Sequence, residues 1–229
     1  MNWSKEMKIA APIGLIIMLI IFSLLIVYWV WANRKSKKNN TIGFRFENKI
    51  KNIMSLYAKD KGFKFIEGGL FSYGANQFFE VDGILITNKS IFIIETKAYE
   101  GHINGNAVGE QVTITNNNKV KKLKNPLLQN FKHIKHFYKM CGIAVPIFSL
   151  IIFPENTTYD FEQLDSWAII ANENNINQTM QDVFDDLEED ADISNEEIMH
   201  IVQVLQDGRK ASIRDLKVFG KIGARNGRR

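Results

Sequence analysis

The stretch FFEVDGILITNKSIFIIETKAY, residues 78–99, decides the fold. Phe79, Val81, Ile84 and Ile86 precede the polar pair Asn88-Lys89, and the run Ile91 to Ile94 follows it. β-Branched and aromatic runs on either side of a polar dipeptide predict a hairpin. The second arm, IFII, is apolar on both faces, which predicts a central strand. Asp82 lies in the first arm, and Glu95-Thr96-Lys97 ends the second. Residues two apart on a strand share a face, so Glu95 and Lys97 point the same way. A tight hairpin brings Asp82 beside them. Two neighbouring carboxylates repel, and a divalent cation relieves that repulsion. A lysine next to such a cation orients or helps to deprotonate a water. These are the requirements of metal-assisted phosphodiester hydrolysis. The bland alternative is a set of solvated strand-end charges. Against it stands the cost of a charge abutting four core residues without a use.

Working outward, residues 42–61 place Ile42, Phe46, Ile50, Ile53, Met54 and Tyr57 at helical spacing, and Gly62 suits the helix end. Phe63 to Ile66 and Leu70 to Tyr73 read as strands around a Gly68-Gly69 turn. Residues 103–115 read as one or two further strands, with Gly105 and Gly109 in turns. Asn125-Pro126 opens a helix to about Met140, with Asn125 as cap and Pro126 in the first turn. FSLIIF after Pro146 is a buried strand, and Ser166 to Ala171 another. The acidic segment 178–190 reads as a helix with a solvated face. Ser194 to Glu197 is a capping box that starts a final helix to about Gln206.

On the helix after Asn125, Gln129 and His133 are four apart and share a face. Glu47 stands on the first helix in Gly43-Phe44-Arg45-Phe46-Glu47. Taken with Asp82, Glu95-x-Lys97, Gly101 and the Asn125-Pro126-x-x-Gln129 helix carrying His133, the chain resembles the nuclease-related domain (NERD) family over residues 43 to about 152. That family in turn resembles the restriction-endonuclease-like PD-(D/E)XK enzymes. The resemblance implies an α/β fold, a mixed central sheet flanked by helices. It implies that Asp82 and Glu95 hold Mg²⁺ (or Mn²⁺), that Lys97 positions the nucleophilic water, and that Glu47 and Gln129 support the site. Thr96 departs from the hydrophobic residue common inside E-x-K, and a tryptophan expected after Gly101 is absent. Val112 or Ile114 is expected to fill its packing role, and neither departure is expected to touch the metal set.

Ahead of this domain, residues 9–32 form 24 consecutive uncharged positions. As a helix they reach roughly 36 Å, more than the roughly 30 Å hydrocarbon core of a bilayer. Trp3, Tyr28, Trp29 and Trp31 sit where an interfacial belt belongs. The run is too long, and too rich in bulky aromatics, for a cleaved signal peptide. It is therefore expected to be a transmembrane helix. Lys5 and Lys8 precede it, whereas Arg34, Lys35, Lys37 and Lys38 follow, so the rule of positive flanks puts the main domain in the cytoplasm. The expected organisation is a short extracytoplasmic start (1–8), the span (9–32), a basic linker (33–41), the nuclease-like domain (42–172) and a helical extension with a basic tail (173–229). About ten linker residues would then separate the site from the bilayer, restricting it to substrate near the membrane.

Charge is distributed unevenly. Residues 41–139 hold 15 Lys/Arg against 8 Asp/Glu, and residues 155–197 hold 14 acids and no base. Lys119, Lys121, Lys122 and Lys124 precede the Asn125 helix. Either they are a solvated loop, or Lys121, Lys122 and Lys124, with His133, contact nucleic-acid phosphates. The linker cluster serves as a topology signal or touches anionic lipid. The basic tail, with Arg225, Arg228 and Arg229, binds nucleic acid or membrane, or is a disordered end. Cys141 is the one cysteine, which excludes an intrachain disulfide, and with His133 and His136 it makes no zinc site. Two functions are compatible with the sequence: a membrane-anchored metal-dependent nuclease, and a non-catalytic membrane-anchored nucleic-acid or protein-binding scaffold on the same fold.

Overall fold

The structure, a computed structural model, describes residues 15–31 and 42–210. The chain divides into two units, residues 1–45 and 46–229. In the first, residues 15–31 form helix α1, with Leu15 to Val27 exposed wherever they are large and apolar, as are Tyr28, Trp29 and Trp31. Seventeen residues rise about 26 Å, short of the bilayer core. Among the described residues no helix is long and apolar enough to cross a membrane. The rest of the expected 9–32 span, the 33–41 linker and the tail beyond residue 210 lie outside the described residues.

The second unit is a mixed α/β fold built on two mixed sheets, where the sequence predicted one. Its elements are α2 (Ile42–Lys61), β1 (Lys64–Gly74), β2 (Gln77–Ile86), β3 (Ile91–Thr96), β4 (Gly101–Asn106), β5 (Gln111–Asn116), β6 (Lys119–Lys124), α3 (Pro126–Cys141), β7 (Ile147–Phe153), β8 (Thr157–Glu162), β9 (Ala168–Asn172), α4 (Ile176–Asp186), α5 (Asn195–Gly208) and β10 (Arg209–Lys210). The larger sheet runs β10-β1-β2-β3-β7-β9, and the smaller β6-β5-β4-β8. β1, β2 and β3 are antiparallel neighbours, whereas β7 joins β3, and β9 joins β7, in parallel. The predicted hairpin turns at Asn88-Lys89, and β3 is central and buried on both faces.

Each face of the larger sheet has its own core. Ile84, Ile86, Ile91 and Ile93 pack with Ile134 and Phe137 of α3 and Ile201 and Leu205 of α5. On the other face Leu85, Phe92, Ile94, Leu150 and Ile152 pack with Ile50 and Met54 of α2 and Met180 of α4. The smaller sheet lays Ile103, Val112 and Ile114 against Ile151, Phe153 and Ile170, so Val112 and Ile114 do fill a core position. At about 25 cal/mol per Å² of apolar area removed from water, these three clusters are the main stabilising term.

Three sequence expectations give way. The Gly68-Gly69 pair is no turn: β1 passes through it as one strand. Gly105 lies inside β4, and only Gly109 is in a turn. The Lys119–Lys124 run is the edge strand β6, paired with β5 from Gln111↔Lys124 to Asn116↔Lys119. Local composition hid it, because exposed lysines protect an edge strand while hiding its strand character. β8, TTYDFE, is a further strand beyond those expected from the sequence.

The glycine pair has a different use. Val81 and Ile84 lie in one core cluster although they are three apart, as do Ile66 and Phe71, which are five apart. Strict alternation forbids both, so the two strands swivel together at Gly68-Gly69 and Asp82-Gly83. At Gly68 the two strands approach too closely for a side chain. A Cβ there would lie 2.3 Å from the Asp82 carbonyl oxygen. Gly68→Ala is therefore expected to destabilise the fold by about 1–3 kcal/mol, the range for overpacking. An unchanged urea midpoint would show that the two backbones are not held this close.

Candidate functional site

The β2–β3 ladder ends at Gly83↔Ile94. One step further Asp82 faces Glu95 by register, but the strands have swivelled apart. The Asp82 side chain takes over the pairing: Oδ2 accepts from the Thr96 amide at 2.7 Å and from the Thr96 hydroxyl at 2.8 Å. Thr96 thus holds the very carboxylate it was expected to leave untouched. On the other side of β3 the parallel ladder with β7 continues, and the Lys97 amide donates to the Ile152 carbonyl at 3.0 Å. Glu95 therefore sits at the end of the central strand, braced on both sides.

α3 covers it. Asn125 caps α3 by accepting from the Leu127 amide, and its side-chain amide donates to the carbonyls of Asn106, Ala107 and Gly109. One turn on, the buried Asn130 amide donates to the Ile93 carbonyl at 2.7 Å and to Ser149 Oγ at 2.8 Å. These bonds fix the height and rotation of the helix over β3. Gln129 then lands on the site and donates to Glu95 Oε1 at 2.8 Å. His133 Nε2 lies 3.7 Å from Glu95 Oε2 and 3.5 Å from Gln129 Nε2.

Glu95 is 2% exposed and forms an ion pair with the Lys97 ammonium. Burial, with the charges of Asp82 and Glu47 adding to it, pushes the Glu95 carboxyl up to about 7 despite Lys97. Burial alone would pull the Lys97 ammonium down, but Glu95, then Tyr99 and Asp82, outweigh it and hold Lys97 above the ordinary lysine value. His133 goes the other way: burial, then the charges of His136 and Lys97, lower it to about 4. It faces Glu95 as a neutral ring. Tyr99 is raised by burial beside the same lysine.

The fold thus brings together Asp82, Glu95, Lys97, Gln129 and His133. Glu47, exposed on α2, reaches Glu95 through its charge. Lys121, Lys122 and Lys124 stand apart on exposed β6. Lys124 lines a cleft of about 590 Å³ together with Gln129 and Lys132. His133 does not line it, and its side chain is largely buried against Glu95. Sequence reasoning missed Thr96 as the holder of Asp82, and Tyr99 beside Lys97. The latter carried a signal, since Tyr99 lies two residues beyond Lys97, at the end of the same conspicuous stretch.

A divalent cation fits the donor set in a particular way. Among the described residues no group of three or more His, Cys, Asp or Glu is placed to hold a metal by itself. Two carboxylates, Asp82 and Glu95, are available, and Glu95 is raised first by burial and then by the charge of Asp82 beside it. Mg²⁺ commonly takes one or two carboxylates and fills its remaining positions with water and substrate phosphate. A four-ligand zinc centre has no counterpart here.

The opposed shifts make a prediction. Glu95 titrates at about 7 folded against 4.5 unfolded, so its contribution to stability is lost as pH rises across that window. His133 titrates at about 4 against 6.5, so its contribution is lost as pH falls. In chelator the two oppose each other between 4.5 and 6.5. His133→Gln removes one side and is expected to favour the protein at pH 5 over pH 7.5 by roughly 2 kcal/mol relative to the original chain. Urea titrations at both pH values measure this. Equal pH dependence in both proteins would mean that His133 is not held neutral.

Residues 42–154 match the family described as "Nuclease-related domain" (NERD). An uncharacterized protein of Bacillus anthracis is 34% identical over 74 residues, which cover 32% of this chain and 35% of that protein. The match thus spans about a third of the length of this relative. No solved structure matches. The matched family region begins with α2, ends just after β7, and encloses every candidate site residue named above. Residues 42–154, just under half of this chain, are thus similar to the nuclease-related domain family.

Proposed function

We propose that this protein is a metal-dependent nuclease that hydrolyses phosphodiester bonds of nucleic acid, tethered to a membrane through residues 9–32 with its main domain in the cytoplasm. The observation that carries the catalytic reading is the buried Glu95, faced by Asp82 and Glu47 and paired to Lys97. A carboxylate is kept nearly dry there, near two other acids, with the Lys97 ammonium as its one cationic partner among the described residues. Such an arrangement is costly unless a cation uses it. Asp82 and Glu95 would hold Mg²⁺ or Mn²⁺. When bound, the metal supplies Lewis acidity toward a phosphoryl oxygen and toward water.

The chain's own residues do the rest. Lys97, held charged between Glu95 and Asp82, orients a water and offers positive charge to the phosphate as charge develops on it. The amide of Gln129 fixes one Glu95 oxygen, and Thr96 fixes one Asp82 oxygen, so both carboxylates are positioned before substrate arrives. Neutral His133 keeps the back of Glu95 dry without adding a competing cation. For the tether, the supporting facts are the 24 uncharged residues and the exposed apolar surface of the described part of α1.

The full chain in detergent is expected to cleave nucleic acid with Mg²⁺ or Mn²⁺. Asp82→Ala and Glu95→Ala should each slow cleavage by roughly a thousandfold while the circular dichroism spectrum is retained. Activity surviving both changes would refute the site. Calorimetry showing no Mn²⁺ binding by the intact chain would instead favour the non-catalytic scaffold. Thr96→Val keeps the shape and the amide bond to Asp82 but removes the hydroxyl bond. It is expected to weaken Mn²⁺ binding by about tenfold, the lower range for lost support of a metal ligand. An unchanged affinity would show that the hydroxyl does not position Asp82.

A further inference from the structure

The cleft beside the site has a chemical character of its own. It lies where β6 ends and α3 begins, and Gln111, Lys124, Leu128, Gln129 and Lys132 line it, with Glu110. Gln129 belongs to the cleft and to the site at once, since its amide donates to Glu95. Gln129 is thus the side chain that links the cleft to the buried carboxylate. Lys124 comes from the sheet and Lys132 from the helix, so two ammonium groups meet there from different elements. Lys122, two residues before Lys124, shares its strand face and extends the row along β6. Leu128 is the apolar member.

We infer that this cleft is the track for a single-stranded nucleic acid, with Lys124 and Lys132 on its phosphates and Leu128 against a base. The inference rests on the nuclease reading for where the strand leads, though not for the binding itself. Two observations select a single strand over a duplex. The volume, about 590 Å³, is that of a small-molecule pocket and takes only a short piece of one strand. Glu95 is 2% exposed beneath Gln129 and Lys97, so the scissile phosphate must descend to it. A flexible single strand bends into such a depression. A duplex, stiff over about 150 base pairs, does not without paying a deformation energy. Glu110 is the contrary charge in the lining and repels phosphate on its side of the cleft.

The test is fluorescence anisotropy with a labelled single-stranded oligonucleotide of mixed sequence, using the full chain in detergent with chelator. Salt is varied, and the duplex of the same sequence is run beside it. Lys124→Gln and Lys132→Gln are each expected to weaken single-strand binding and to reduce the slope of log affinity against log salt by about 0.7, the value for one lost single-strand phosphate contact. Glu110→Gln is expected to tighten binding. Lys64→Gln is the control: Lys64 pairs with Ile86, at the far end of the ladder from Glu95, and should change nothing. The duplex is expected to bind more weakly than the single strand.

Unchanged slopes in both lysine variants, absent single-strand binding, or a duplex bound as tightly as the single strand would each overturn the inference. The nuclease reading fails separately. A chain that binds through Lys124 and Lys132 but cleaves nothing with Mg²⁺ or Mn²⁺ keeps the cleft and loses the nuclease. A chain that cleaves, yet binds independently of both lysines, does the reverse.

Discussion

A carboxylate at the end of a central β-strand has lost nearly all its water, and the rest of the domain is arranged around that fact. Glu95 follows four residues buried on both faces of β3. Transfer of an unpaired carboxylate into such surroundings is prohibitive, so it must be neutralised, paired or hydrogen-bonded. Each remedy is in use here. The carboxyl is pushed up to about 7, Lys97 pairs with it, and Gln129 donates to it. Beside these, the charges of Asp82 and, more weakly, Glu47 still bear on the carboxyl. Those two further charges separate this constellation from an ordinary internal ion pair, whose partners would balance each other.

Placing those partners takes most of the fold. Gln129 reaches Glu95 only because Asn125 anchors the start of α3 on the β4–β5 turn and Asn130 pins the next turn to β3 and β7. The smaller sheet is therefore part of the support for the site: it carries the turn that holds Asn125. Asp82 reaches its position because the β1–β2 pair swivels where Gly68 lets the backbones close. The same swivel ends the ladder and opens room between Asp82 and Glu95. A regular hairpin would have spent the Thr96 amide on a backbone bond. Here it is left for Asp82.

The two basic features differ in kind. Lys97 is 23% exposed and bound into the site. Lys124 and Lys132 stand on the surface of two separate elements and meet across a cleft. A charge embedded beside the reacting atoms suits stabilisation at one point, whereas exposed lysines along a depression suit a chain of phosphates screened by salt. A division of labour between chemistry and grip follows from burial alone.

The sequence by itself determined the β2–β3 hairpin, the central place of β3, the capped starts of α3 and α5, and the grouping of Asp82, Glu95 and Lys97. All of these depend on short-range rules: strand alternation, a polar dipeptide between apolar runs, a proline after an asparagine cap. Gln129 and His133 were legible as one helix face, but nothing in the sequence said which strand that face would meet. Only the tertiary structure decided that. It also decided that Gly68-Gly69 is a close crossing rather than a turn, that the lysine run is an edge strand, and that the strands divide into two sheets. It alone placed the Thr96 hydroxyl on Asp82 and brought Lys132 and Lys124 to one cleft. The physical reason is the same in each case. A glycine, a threonine hydroxyl or an exposed lysine is compatible with several local structures, and only the element packed against it, distant in sequence, selects among them.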